Sequence, residues 1–124
     1  MLLYFYPKDM TPGCTAQACD LTAHKSELDG ANVHVIGVSM DPIKRHEKFR
    51  EKYDLNFPLV ADEERELINL YGVWGEKKFM GKTFDGIHRI SFLIDEQGII
   101  QEIWGTNKKV KTKEHTAQVL AAIN

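Results

Sequence analysis

Apolar residues run without interruption from Leu2 to Tyr6 and stop at Pro7. A turn-forming cluster, Lys8-Asp9-Met10-Thr11-Pro12-Gly13, then leads into a helical stretch from Cys14 toward Leu28, so the pattern predicts a strand, a loop and a helix. Asp29-Gly30 ends that helix. Val33-His34-Val35-Ile36-Gly37-Val38-Ser39 follows as a β-branched run of the kind found in parallel strands covered on both faces. Asp41-Pro42 reads as an N-cap with proline at the first helical position, opening a charged helix through Phe49 and Tyr53. Phe57 to Ala61 predicts a short third strand, Glu63 to Tyr71 a helix stopped by Gly72, and Val73 to His88 a long functional or mobile loop. Arg89–Ile94 and Ile99–Trp104 bracket Asp95-Glu96-Gln97-Gly98, a strong hairpin signal, and a last helix is expected from Lys113 to Ile123.

The order βαβαβα, then an antiparallel hairpin, then a helix, predicts an α/β sandwich with a mixed sheet. A length of 124 residues with 43% apolar and 27% charged side chains suits one domain over 1–124 whose core is held by burial. Sixteen basic residues against eighteen acidic ones, with no long basic stripe, argue against a nucleic-acid partner. No apolar run approaches the about 18 residues of a membrane span, and the start carries no signal-peptide pattern, so no membrane partner and a cytoplasmic location are expected.

The two cysteines are far too few for a disulfide-built scaffold, which leaves them free for chemistry. Cys14 sits where the first strand hands over to a helix, the end of an open α/β sheet at which reactive groups collect. Unpaired N–H groups and the positive dipole end there favour a thiolate over a thiol. Cys19 follows five residues later. In an intact helix that spacing means about 7.5 Å of rise and roughly 140° of rotation, hence Cα atoms about 8–9 Å apart. A disulfide requires about 4.4–6.8 Å, so a bond between the two sulfurs needs the first turns of the helix to unwind. Metal ligation is disfavoured because Cys-x₄-Cys lacks a matching Cys or His pair. Among the histidines, His46 and His115 read as surface residues, His24 as a helix residue without a role, His34 as a strand residue, and His88 as a group orienting the long loop. The lysines from Lys108 to Lys113 read as a solvated loop. Trp74, Phe79 and Phe84 could line an entrance or pack the long loop onto the domain.

Pro7-Lys8-Asp9-Met10-Thr11-Pro12-Gly13-Cys14 fits the Pro-x-x-x-Thr-x-x-Cys motif, and the chain thereby resembles the peroxiredoxins. The residues before Cys14 and the partner at Cys19 are similar to the bacterioferritin comigratory protein branch, also called Q-type. The likeness continues in Tyr71-Gly72-Val73-Trp74-Gly75-Glu76-Lys77-Lys78 and in Gly86-Ile87-His88-Arg89-Ile90-Ser91-Phe92-Leu93-Ile94-Asp95, so that effectively the whole chain is covered. The resemblance implies a thioredoxin-like fold with a mixed five-stranded sheet flanked by helices. It also implies reduction of a hydroperoxide substrate by Cys14, which becomes a sulfenic acid captured by Cys19, and recycling by thioredoxin or a similar dithiol. Arg89 would hold the thiolate and polarise the peroxide, Thr11 would bond the reacting oxygens, and Pro7 would shield the pocket from water. No metal or organic cofactor is needed for that chemistry. Members of the branch normally begin a few tens of residues earlier with a peripheral β-hairpin, so the natural start is expected upstream of Met1. The expected state is a monomer, with a weak dimer as the alternative. Two other functions stay open on the residues: a thiol–disulfide oxidoreductase, against which the absence of Cys-x-x-Cys argues, and a non-enzymatic binding or holdase module.

Overall fold

A computed structural model describes residues 1–123, and the last residue of the expected 1–124 domain lies outside it. Its elements are β1 (Leu2–Phe5), α1 (Pro12–Ala23), α2 (Lys25–Gly30), β2 (Val35–Ser39), α3 (Ile43–Tyr53), β3 (Leu59–Ala61), α4 (Glu66–Leu70), β4 (Trp74–Phe79), β5 (Lys82–Ile87), β6 (Ile90–Ile94), β7 (Ile100–Trp104) and α5 (His115–Ile123). Five strands form one sheet in the order β3-β2-β1-β6-β7, with β1 parallel to β2 and antiparallel to β6. This is the thioredoxin-like α/β fold with a mixed sheet flanked by helices.

Alternation along β1 divides the core, since successive side chains point to opposite faces of a strand. Leu2, Tyr4 and Tyr6 pack with Cys14, Ala18, Leu21, Leu28, Phe49 and Val119 on one face. Leu3 and Phe5 pack with Ile68, Val73, Ile87 and Phe92 on the other. Because both faces are covered, Leu2 to Tyr6 reads as an unbroken apolar run and every residue in it is buried.

The structure corrects four expectations. The stretch Val73–His88 is not a loop but holds the β4–β5 hairpin, a separate two-stranded sheet. It carries no apolar alternation because most of it is solvated, and Met80 and Gly81 turn it with φ of 52° and 77°. The predicted helix from Cys14 to Leu28 breaks at His24 into α1 and α2. Asp41 does not cap α3. Pro42 takes that place, while the Asp41 carboxylate is buried against the Asp9 backbone and the Ser39 hydroxyl. His46 and His115, expected at the surface, are both buried: His46 is bound to Asp9, and His115 lies between Ser91 and Gln118. Trp74 packs against the second core face beneath the Arg65 guanidinium, whereas Phe79 and Phe84 stay exposed on the hairpin. The lysines from Lys108 to Lys113 are exposed, as expected of a solvated loop, with Lys108 paired to Glu102.

Candidate active site

Two pieces of sheet geometry bring the reactive groups together. The chain leaves β1 at Phe5, turns through Pro7–Thr11 and enters α1 at Pro12, whose missing N–H costs nothing at a helix start. That places Cys14 in the first turn of α1, with a relative exposure of 1%. On the other side, β6 runs antiparallel to β1 with Ile90 opposite Phe5, so the preceding residue, Arg89, arrives at the end of β1 where the loop begins. Arg89 Nη2 donates to Cys14 Sγ at 3.2 Å. A fixed, always charged guanidinium therefore faces a sulfur that sits in the first turn of α1, at the positive end of the helix dipole.

Gln17 completes the arrangement, and the sequence reading did not single it out. Its Oε1 accepts from Arg89 Nη1 at 2.7 Å, so the two arms of the guanidinium hold residues one helical turn apart. Glutamine three residues after a cysteine in a helix-forming stretch carries no signal of its own; full burial of a polar side chain is what marks it. Two glycines make room for the same arginine. A Cβ on Gly13 would lie 3.1 Å from Arg89 Nη2, and one on Gly105, whose φ is +109°, would lie 2.2 Å from the Arg89 carbonyl oxygen.

Thr11 and Pro7 are half-buried in the loop leading into α1. The Thr11 hydroxyl donates to the Lys8 carbonyl at 2.8 Å. Its hydrogen is thereby committed, and the oxygen is left to accept from a bound molecule. Cys19 is half-buried further along α1, with its thiol pKa pushed up by burial, and both sulfurs are free thiols. The structure thus joins Arg89 to Cys14 and sets Thr11 and Pro7 in the adjoining loop, but it does not bond Cys14 to Cys19. Burial, and then the nearby Cys14 charge, hold the Tyr4 hydroxyl well above its ordinary pKa. Lys77 donates to the Ile87 carbonyl at 2.8 Å and is pushed down by burial and by the Arg89 charge. His88 bridges the hairpin to β6: its N–H donates to the Val73 carbonyl at 2.8 Å, and its ring lies over Gly75. An open groove of about 1000 Å³ reaches this corner, lined by Gly13, Arg89, Gly105, Lys109, Val110 and Lys111.

A thioredoxin-like sheet carrying a cysteine at a strand-to-helix turn, faced by a guanidinium, defines a thiol-based redox protein. The profile of the AhpC/TSA family matches residues 1–103. Peroxiredoxin Bcp of Escherichia coli K12 is 52% identical over 120 residues, covering 97% of this chain and 75% of its own length. Peroxiredoxin Bcp of Bacillus subtilis is 47% identical over 126 residues, covering 99% and 76%. Among solved structures, the bacterioferritin comigratory protein of Xanthomonas campestris, studied for its alkyl peroxide reduction activity, superposes with a TM-score of 0.89 at 40% identity, covering 98% of this chain and 75% of that one. The chain belongs to the AhpC/TSA family, among its Bcp and Q-type peroxiredoxins, and is a thiol peroxidase. Among the described residues no helix is long and apolar enough to cross a membrane.

Proposed function

We propose that Cys14 is the residue that attacks the peroxide, that Arg89, Thr11 and Pro7 form its pocket, and that Cys19 resolves the product. The 3.2 Å contact from Arg89 Nη2 to the buried Cys14 sulfur carries the reading. The Cys14 thiolate attacks the proton-bearing oxygen of a hydroperoxide; a sulfur–oxygen bond forms, the O–O bond breaks, and the alkoxide or hydroxide leaves with the electron pair and takes up a proton. Arg89 faces the negative charge as it passes from sulfur to the leaving oxygen. The free lone pair of Thr11 accepts from the peroxide O–H and aims it, while Pro7 adds no competing donor. Cys14 is then a sulfenic acid. Attack by the Cys19 sulfur releases water and leaves a Cys14–Cys19 disulfide, which a thioredoxin-type dithiol reduces by exchange. The open groove beside Arg89 is large enough for the alkyl group of an organic hydroperoxide. The reading extends to one domain acting as a monomer in the cytoplasm, where a reduced dithiol pool is maintained.

One equivalent of hydrogen peroxide added to the reduced protein, followed by thiol counting and peptide mass spectrometry, tests this. Both thiols should disappear into an intramolecular Cys14–Cys19 bond. Cys14→Ser should abolish peroxide consumption, and Cys19→Ser should complete one turnover and then stall or overoxidise. A Cys14→Ser variant as active as the parent would overturn the assignment.

A further inference from the structure

One residue of the active-site loop is held from every side. The Asp9 backbone N–H donates to Asp41 Oδ2 at 2.8 Å, and its carbonyl accepts from Arg45 Nη2 at 3.3 Å. Of its carboxylate oxygens, Oδ1 accepts from the Tyr6 hydroxyl at 2.6 Å and Oδ2 lies 2.6 Å from His46 Nδ1. Asp9 is 0% exposed and His46 3%. Asp41 is fixed in turn, accepting from the Ser39 hydroxyl at 2.7 Å on Oδ2 and lying 3.2 Å from Arg45 Nε on Oδ1. Three of the four carboxylate oxygens are thus engaged in hydrogen bonds and the fourth, Asp41 Oδ1, is ion-paired with Arg45, which makes the cluster a polar lock rather than a cage for a cation. Nothing in the mechanism above uses it.

The Lys8–Asp9 peptide links this lock to the chemistry. A peptide unit is planar, with its C=O and N–H pointing in opposite directions. Asp41 holds the N–H end of that plane, and the C=O end receives the Thr11 hydroxyl at 2.8 Å. A rotation of the plane therefore re-aims the Thr11 hydroxyl. We propose that Asp9, Asp41 and His46 are positioning residues for the peroxide reaction, fixing the Lys8–Asp9 peptide plane and through it the direction in which Thr11 presents its lone pair.

The state of His46 sets how firmly the lock closes. Both ring nitrogens face acceptors, Asp9 Oδ2 and the Val60 carbonyl at 3.1 Å, an arrangement that favours the imidazolium because only that form has a donor for each. The groups around it are Tyr6 just past β1, Asp9 from the loop, Asp41 from the segment before α3, Arg45 from its first turn, and the Val60 carbonyl from β3. Burial alone would lower the His46 pKa, but Asp9, the Val60 carbonyl and the Asp41 charge raise it. Above that pKa the ring keeps one N–H and loses its charge, and Asp9 loses its ion pair.

This inference rests on the assignment of Cys14 and Thr11 made above, and one kinetic experiment separates the two. The second-order rate of Cys14 oxidation by hydrogen peroxide is measured for the parent, His46→Gln, Thr11→Ala and the double variant, with Asp41→Asn as the alternative should His46→Gln prove unfolded by circular dichroism. Glutamine can donate one N–H to Asp9 but never carries charge. His46→Gln should therefore slow oxidation about five- to tenfold near pH 6 in the parent background, and less than twofold when Thr11 is already alanine, because effects acting through one group do not add. As pH rises through the His46 pKa the parent should slow toward the His46→Gln rate, while the variant shows no such fall. Factors that multiply in the double variant, or equal rates for parent and His46→Gln at every pH, would overturn the positioning role. A parent that leaves its Cys14 thiol unreacted would instead overturn the underlying assignment.

Discussion

Gln17 Oε1 accepts a 2.7 Å hydrogen bond from Arg89 Nη1, which fixes the guanidinium plane while the other arm rests on the Cys14 sulfur. A lysine has one ammonium and no fork, so it cannot serve both partners at once. Arg89→Lys should lower the second-order rate with peroxide about a hundredfold, the scale of losing one donor aimed at developing charge. Gln17→Leu should lower it about tenfold by freeing the arginine. Gln17→Leu should also lose about 1–2 kcal/mol of stability: the Gln17 Nε2 that goes has no partner among the described residues, but Arg89 Nη1 is left without its acceptor. Competition kinetics against a reference peroxidase, with melting curves alongside, would check both, and an unaltered Gln17→Leu rate would refute the anchoring.

Gly105 stands far from Cys14 in sequence, yet it constrains the same arginine. Its φ of +109° and a Cβ position 2.2 Å from the Arg89 carbonyl leave no place for a side chain. Gly105→Ala should cost roughly 3 kcal/mol through backbone strain and overpacking. It should also slow peroxide turnover in whatever protein remains folded, since β6 must shift at its entry. A melting temperature within a degree of the parent would count against this.

Two buried histidines give the stability opposite pH dependences. Burial lowers the His46 pKa, but Asp9, the Val60 carbonyl and the Asp41 charge together raise it above its ordinary value, so its stabilisation is complete below the unfolded value of about 6.5 and fades as pH rises through the folded one. His115 is lowered, first by burial; its Nδ1–H donates to Gln118 Oε1 and its Nε2 accepts from the Ser91 hydroxyl, so it is held neutral. Its contribution is complete above about 6.5 and fades as pH falls toward the folded value. The deficit of His46→Gln should therefore be largest near pH 5, about 2 kcal/mol, and shrink by pH 8. That of His115→Gln should run the other way. Urea titrations at several pH values would show the two trends, and parallel curves for parent and variants would contradict both.

The hairpin tip should be inert to stability. Phe79 and Met80 are 66% and 87% exposed, so Phe79→Ser with Met80→Ser should move the unfolding free energy by less than about 0.5 kcal/mol. A larger loss would mean that the tip packs on the domain in solution.

The five-stranded sheet was legible because its strands are buried on one or both faces and so announce themselves as apolar runs, with Leu2–Tyr6 and Ile90–Ile94 the clearest. Trp74–Phe79 and Lys82–Ile87 pair just as regularly, but their solvated faces leave no pattern to read. Cys14 and Arg89 were legible through motif and position. Gln17, Asp9 and His46 were not, because each is an ordinary polar residue in sequence and gains meaning only from a partner far along the chain: Arg89 for Gln17, and His46 and Asp9 for each other. Burial of polar side chains is a tertiary property that no local pattern reports.

Asp20, the residue after Cys19, accepts the backbone N–H of Thr116 at 2.8 Å, and its own carbonyl takes the Thr116 hydroxyl at 3.3 Å. The far half of α1 is thus riveted to the start of α5 directly beside one cysteine, while the other lies in the opposite half behind a loop held at Asp9. A helix fastened in this way does not melt evenly. Amide hydrogens of the Cys14 half should exchange with solvent through small local openings, and those of Leu21 to Ala23 only through larger ones. The Thr116 contacts thereby set the far boundary of the stretch of α1 that would have to open for the proposed disulfide, on the Cys14 side of Asp20.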